Sequence, residues 1–238
     1  MPMDEPCTHF RMDASPFQLL FKKACIGSRR FRNWVAILGG CAVCVICSYF
    51  WIDRPVALWV HAHQSYVAAR DEFNPIARIP NPVILVSSVL FILLGLSKLA
   101  KWRWTRLEHV ALTSSISVLV GETIKEALKW VFGRASPDVW LMRNSSPLGF
   151  REYQFHWFHG IGPFNSFPSG HMTTAAALIA VFWMSYPRFR PLYIAWCGIA
   201  AAGLVAFNFH FLGDVIAGTM LGTTVGLLIT HSFPEQHN

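Results

Sequence analysis

The sequence predicts an all-α protein built as a six-transmembrane helical bundle, and three observations predict it. Hydrophobic residues make up 53% of the 238 residues and charged residues only 14%, with a mean hydropathy of +0.38, which is too apolar for an ordinary soluble domain. Six apolar segments follow one another along the chain. Lys and Arg gather in short stretches that flank those segments, the pattern a bilayer imposes on a multi-pass chain. The net charge of +7 therefore speaks for membrane orientation and against nucleic acid as a partner.

Taken in order, residues 1–33 are a basic segment with six Lys/Arg, in which Phe17–Ala24 has the makings of a short amphipathic stretch on the membrane surface. Trp34–Trp51 is an uncharged run of 18 residues, long enough to span and too long for the apolar region of a cleaved signal. Cys41, Cys44 and Cys47 within it are separated by apolar residues, so they read as small packing residues and not as metal ligands. Asp53–Asn81, with three prolines and mixed charges, reads as an interfacial connection. Pro82–Ala100 is the second span, followed by the basic turn carrying Lys98, Lys101, Arg103 and Arg106.

Leu107–Phe132 has helical character but carries Glu122, Lys125, Glu126 and Lys129 near its end. Charges at that depth face a cavity or one another. The spacing allows mutual pairing at i, i+3 and i+4, and it leaves a ligand role open for Lys125 and favours one for Lys129. Gly133–Phe167 is a long loop with eight aromatics, suited to headgroup depth. Met172–Tyr186, Pro191–Phe209 and Phe211–His231 complete the six spans of a membrane domain over residues 34–231, leaving 232–238 as a short tail.

Orientation follows from the basic residues. The N-terminal segment, the turn after the second span and the turn after the fourth hold six, four and two Lys/Arg, whereas the two long loops hold three each. The positive-inside rule then predicts a multi-pass protein with both termini cytoplasmic and the 133–167 loop on the extracytoplasmic side; the expected setting is a bacterial inner membrane.

The chemistry gathers on that side. In Asn165-Ser166-Phe167-Pro168-Ser169-Gly170-His171, Pro168 breaks the incoming chain, Ser169 suits a helix cap and Gly170 admits close approach to the backbone. The helix start beyond it offers unpaired N–H groups and the positive end of the dipole to an anion. His171 stands beside that anion site with a proton to give. His210 and Asp214 are four apart at the start of the last helix and share one face. A carboxylate on one imidazole nitrogen leaves the other free to attack; the same pair is also common as a structural contact or a fragment of a metal site. A lysine and a bare helix N-terminus fit an anion better than a cation, so neither metal nor cofactor is expected.

These motifs together resemble the type 2 phosphatidic acid phosphatase (PAP2) family, membrane relatives of the vanadium haloperoxidases. The family pattern is Lys-x6-Arg-Pro, then Pro-Ser-Gly-His, then Ser-Arg-x5-His-x3-Asp. Pro168–His171 carries the middle motif intact, His210-x3-Asp214 matches the end of the third, and Lys129 with Pro137 matches the frame of the first. Order and spacing agree over roughly residues 83–231. The resemblance implies a PAP2-type helical bundle and a lipid phosphate or diphosphate as substrate. It also implies His210 as the nucleophile of a phosphohistidine, Asp214 as its orienting partner and His171 as acid to the leaving alcohol. Lys129, Ser169 and the N–H of Gly170 would hold the phosphoryl oxygens without a metal.

The sequence departs from the pattern at the first-motif arginine, which is Ser136, and at the third-motif serine and arginine, which are Gly203 and Leu204. A charge-assisted hydrogen bond is worth about 1.5–3 kcal/mol, so two missing ones would cost roughly 3–6 kcal/mol, on the order of 10²–10⁴ in rate. Arg134, two residues before Ser136, is positioned in the sequence to reach the same phosphate. A lipid phosphotransferase using the same residues and a lipid-phosphate-binding protein of weak activity are the competing readings.

Overall fold

The computed structural model describes residues 16–63, 80–99, 105–143, 153–160 and 162–233. By its internal contacts the chain divides into two units, residues 1–40 and residues 41–238. The described residues are helical, with no strand among them; one isolated bridge joins Arg134 to Asn165. Helix α1 is Pro16–Cys47; a π-helical turn, Ser48–Ile52, leads into α2, Asp53–His63. Then come α3 (Pro80–Leu99), α4 (Arg106–Phe132), the short α5 (Pro137–Arg143), α6 (Gly170–Ser185), α7 (Arg190–Ala206) and α8 (Leu212–Ser232).

Among the described residues, four stretches are long and apolar enough to cross a membrane: Arg32–His63, Pro80–Ser97, Pro187–Ala206 and Leu212–Ser232. Of the other two expected spans, Gly170–Ser185 is apolar but has 16 residues, and α4 has 27 residues but carries the charges noted above. The first span runs past its expected end at Trp51, because Asp53 is buried among hydrogen-bond donors and has no need of water that would stop the helix. The side chains of residues 17–24, the basic turn at 100–104 and the tail beyond 233 lie outside the described residues.

The centre of residues 41–238 is the pair α6 and α8, and α8 is the most buried of the four long apolar stretches. Small residues make that contact close. A methyl group added at Gly218, Gly222 or Gly226 would overlap the carbonyl oxygens of Ser169, Thr173 and Ala177, one helical turn apart on α6. The backbone N–H of Ser169 also donates to the carbonyl of Asp214 at 3.0 Å. The beginnings of α6 and α8 are thereby locked side by side, which sets the distance between the residues they carry.

Helix α4 packs on both. It opens on a capping box between Thr105 and Glu108. Three of its buried hydroxyls bond back to their own helix, Thr113 to His109 O, Ser115 to Ala111 O and Ser117 to Thr113 O, all at 2.8–2.9 Å, while the buried Ser114 Oγ has no hydrogen-bond partner among the described residues. Between α7 and α8 the chain turns through Asn208 at φ 54°. The Asn208 amide donates to Ala57 O at 3.3 Å, and Asn208 O accepts from Asp138 N, so this turn ties α2 to α5.

Candidate active site

Three segments converge at one end of the α6–α8 pair. The loop 162–169 is held to the end of α4 by backbone bonds from Arg134 N to Phe164 O and from Ser166 N to Arg134 O. It then enters α6 with Ser169 as N-cap, fully buried, its hydroxyl accepting from Met172 N at the long distance of 3.5 Å. Gly170 and His171 form the first turn, where backbone N–H groups lack intrahelical partners. His171 and His210 lie with ring centroids 5.6 Å apart, so the two imidazoles share one space.

The link between His210 and Asp214 is not the direct one the sequence suggests. Nδ1 of His210 lies 3.7 Å from Asp214 Oδ2, beyond hydrogen-bond range. Ser166 stands between them, its hydroxyl donating to Asp214 Oδ2 at 2.7 Å and lying 3.1 Å from His210 Nδ1. A carboxylate only accepts, so the serine proton points to Asp214 and the serine lone pair faces Nδ1. This network assigns the Nδ1–H tautomer to His210 and leaves a lone pair on Nε2. Asp214 itself is fully buried; its Oδ2 also accepts from Phe211 N at 3.2 Å, tying the carboxylate to the start of α8.

Arg134 is the residue the structure places differently from expectation. It is 0% exposed and does not line the space between the histidines as a free phosphate ligand. Its Nη1 donates to Asp214 Oδ1 at 2.6 Å and its Nη2 to Asp53 Oδ2 at 2.7 Å. The rings of Phe211, Tyr49, Phe155 and Tyr153 surround the guanidinium at 4.2–5.4 Å. Burial works against this charge, but the Asp214 and Asp53 carboxylates outweigh it and hold the Arg134 pKa above its ordinary value. Tyr153 closes one side by donating to Tyr49 O at 2.5 Å; burial, above all, pushes its phenol up, so it stays a donor. The guanidinium is therefore committed to the back of Asp214.

The lysines of α4 divide. Lys125 is buried and paired with both Glu122 and Glu126, with Glu122 also accepting from Thr174 of α6 at 2.6 Å. Its ammonium lies beside Gly170, 3.3 Å from the place a β-carbon there would take. Lys129, one turn on, reaches Asn165 Oδ1 at 3.5 Å, the outer limit of a hydrogen bond. At the family's arginine positions, Ser136 is half-buried, while Leu204 is buried in an apolar cluster with Met172 and Val215. Among the described residues, no three His, Cys, Asp or Glu side chains are grouped as metal ligands.

Two residues of this arrangement have no role in the sequence reading. Ser166 lies inside the quoted loop, but nothing in its neighbours marks it as the link between His210 and Asp214. Asp53 had a signal, an acid directly after an uncharged run of 18 residues, which is costly unless it finds a partner.

The PAP2 superfamily profile matches residues 110–238. Two curated proteins named lipid A 1-phosphatase, from Rhizobium johnstonii and Rhizobium etli, are each 36% identical over 118 residues, 47% of this chain. The match covers 43% and 45% of those proteins, so the chain spans less than half of their length. No solved structure matches the chain. A family profile that covers more than half of the residues, including Pro168–His171 and His210–Asp214, leaves one assignment: the chain belongs to the PAP2 superfamily.

Proposed function

We propose that the protein is an integral-membrane phosphatase that cleaves a lipid phosphate or diphosphate through a phosphohistidine on His210. The observation that carries this reading is the Ser166 hydroxyl between Asp214 and His210 Nδ1, which leaves Nε2 of His210 as a lone pair beside His171. In the first step Nε2 attacks phosphorus, a P–N bond forms and the P–O bond to the lipid breaks, while His171 passes its proton to the departing oxygen. In the second, His171 takes a proton from water as that water attacks phosphorus, the P–N bond breaks and inorganic phosphate leaves.

The N–H groups at the start of α6 and the Lys129 ammonium hold the non-bridging oxygens. With Ser136 and Leu204 at the family's arginine positions, this chain relies on them more heavily. The carboxylate of Asp214 steadies the positive imidazolium character that His210 acquires on phosphorylation.

A lipid substrate fits the surroundings. A cavity of about 480 Å³, lined by Val45, Ile46, Phe50, Phe132 and Phe155 among others, includes Phe167, two residues before Ser169. An apolar tail lying there would present its phosphate to the start of α6. Lipid A, the lipid in the relatives' names, heads the candidates. At 16 residues α6 is about 24 Å long, shorter than the ~30 Å hydrocarbon core; the aromatic loop that precedes it suits its first turn to headgroup depth. If α4 and α6 cross with the four longer stretches, the bundle has six spans. The basic flanks put both termini in the cytoplasm and the site outside, as in a bacterial inner membrane.

The test is release of inorganic phosphate in mixed micelles from lipid A, phosphatidic acid and an isoprenoid diphosphate, with His210→Gln as control. Release by the wild type from at least one, and background levels from the variant, are expected. No release from any, or undiminished release by the variant, would refute the reading.

A further inference from the structure

Asp53 lies outside residues 110–238, the part that matches the family, yet it ends in the same buried network as His210. It is 1% exposed, at the junction of the π-helical turn and α2. Its Oδ1 accepts from Ser48 Oγ at 2.6 Å and from Gly213 N at 2.9 Å, and its Oδ2 accepts from Arg134 Nη2 at 2.7 Å. The π-helical turn places Ser48 and Asp53, five residues apart, within reach of each other. Gly213 leaves room for the carboxylate: a β-carbon there would stand 3.0 Å from Asp53 Oδ2.

We infer that Asp53 is a positioning residue for the nucleophile, acting through Arg134, Asp214 and Ser166 on the tautomer and orientation of His210. The inference rests on the phosphohistidine reading for its kinetic consequence, but not for its structural one. Each link is a short contact between groups that are buried. Asp53 holds one arm of the guanidinium, so the other arm meets Asp214 Oδ1 head on. Asp214 Oδ2 is then turned to Ser166, and Ser166 to Nδ1. Asp53 also bonds the backbone of Gly213, the residue beside Asp214, so it fixes the start of α8 by a second route.

The chemistry of the three donors makes the site selective for a carboxylate. Gly213 N–H and the guanidinium can only donate, and they approach different oxygens. An amide has one acceptor oxygen, so Asp53→Asn must turn its NH2 toward either the backbone N–H or the cation. Neither arrangement is satisfied in a buried site.

The experiment uses the full chain in nanodiscs as wild type, Asp53→Asn, and the milder Ser48→Ala, which removes one donor to Asp53. Two readouts are taken: the tautomer of His210 by ¹⁵N-histidine NMR, assigned by its loss in His210→Gln, and kcat and KM on lipid A and phosphatidic acid. The wild type should show the Nδ1–H form. Asp53→Asn should show a tautomer mixture and at least a thirtyfold lower kcat with KM within threefold; Ser48→Ala should change both in the same direction by a smaller factor. An unchanged tautomer in Asp53→Asn overturns the inference, whatever the activity. If Asp53→Asn does not fold, Ser48→Ala decides by the same criterion. A tautomer shift in a protein whose wild type releases no phosphate would leave the positioning role standing and refute the proposed function instead.

Discussion

His171 and His210 lie with ring centroids 5.6 Å apart and ring planes inclined by 69°, one at the first turn of α6 and the other just before α8. His210 has its Nδ1 tied into the Ser166–Asp214 network, which turns Nε2 toward the space it shares with His171. Under the proposed function that arrangement divides the labour, attack by His210 and proton transfer by His171.

That division predicts a dependence on the leaving group. His171→Ala should lower kcat for alkyl phosphates by about 10²–10⁴, the usual range for a general acid, and by much less for an activated aryl ester whose oxygen leaves without a proton. A Brønsted series of esters checks it. Equal losses across the series would mean that His171 only binds.

Ser166→Ala removes the hydroxyl between His210 and Asp214, leaving Nδ1 with a carboxylate 3.7 Å away. The expected loss in kcat is about tenfold to a hundredfold, ~1.4–2.7 kcal/mol, with unchanged KM. Cysteine at this position, with a longer and weaker donor, should recover little. Full activity in Ser166→Ala would show that Asp214 closes on His210 directly.

Arg134→Met should do two things, because it leaves the buried carboxylates of Asp53 and Asp214 facing each other without a cation. Removing one partner of a buried ionic group costs about 3–5 kcal/mol, read as a large drop in thermal midpoint, and activity should be lost with it. Adding Ser136→Arg should restore neither, since Arg134 does not stand in for the arginine that Ser136 replaces. Recovery of activity in the double variant would contradict the placement of Arg134 behind Asp214.

Gly222→Val tests the contact that sets the site. A side chain there meets Thr173 O and the Ala176 side chain, so α6 and α8 must separate and carry His171 away from His210. Overpacking of this kind costs about 1–3 kcal/mol. Activity should fall at least as steeply as stability. Gly198→Ala, where nothing lies within 4 Å, should leave both unchanged.

The helices were legible because their apolar runs and flanking charges are local properties of the chain, and the loop Pro168–His171 because a proline, a cap and a glycine act on their immediate neighbours. His210 and Asp214 were legible as a pair for the same reason, being one turn apart. What could not be read was how that turn is spanned. Ser166 comes to His210 from 44 residues away and Asp53 comes to Arg134 from 81, and no periodicity encodes such meetings. The place of Arg134 is not legible for a related reason. Its nearness to Ser136 in sequence suggested a shared phosphate, whereas the bridge to Asn165 turns it inward, onto four aromatic rings and two carboxylates.

The most direct measurement is a rapid acid-free quench of wild type and variants with a ³²P-labelled lipid phosphate, followed by peptide mapping. The account predicts an acid-labile, base-stable label on the peptide that contains His210, absent in His210→Gln and formed with wild-type stoichiometry but slower decay in His171→Ala when an activated ester is the donor. Steady turnover with no labelled protein at any time, or a label on another residue, would contradict it.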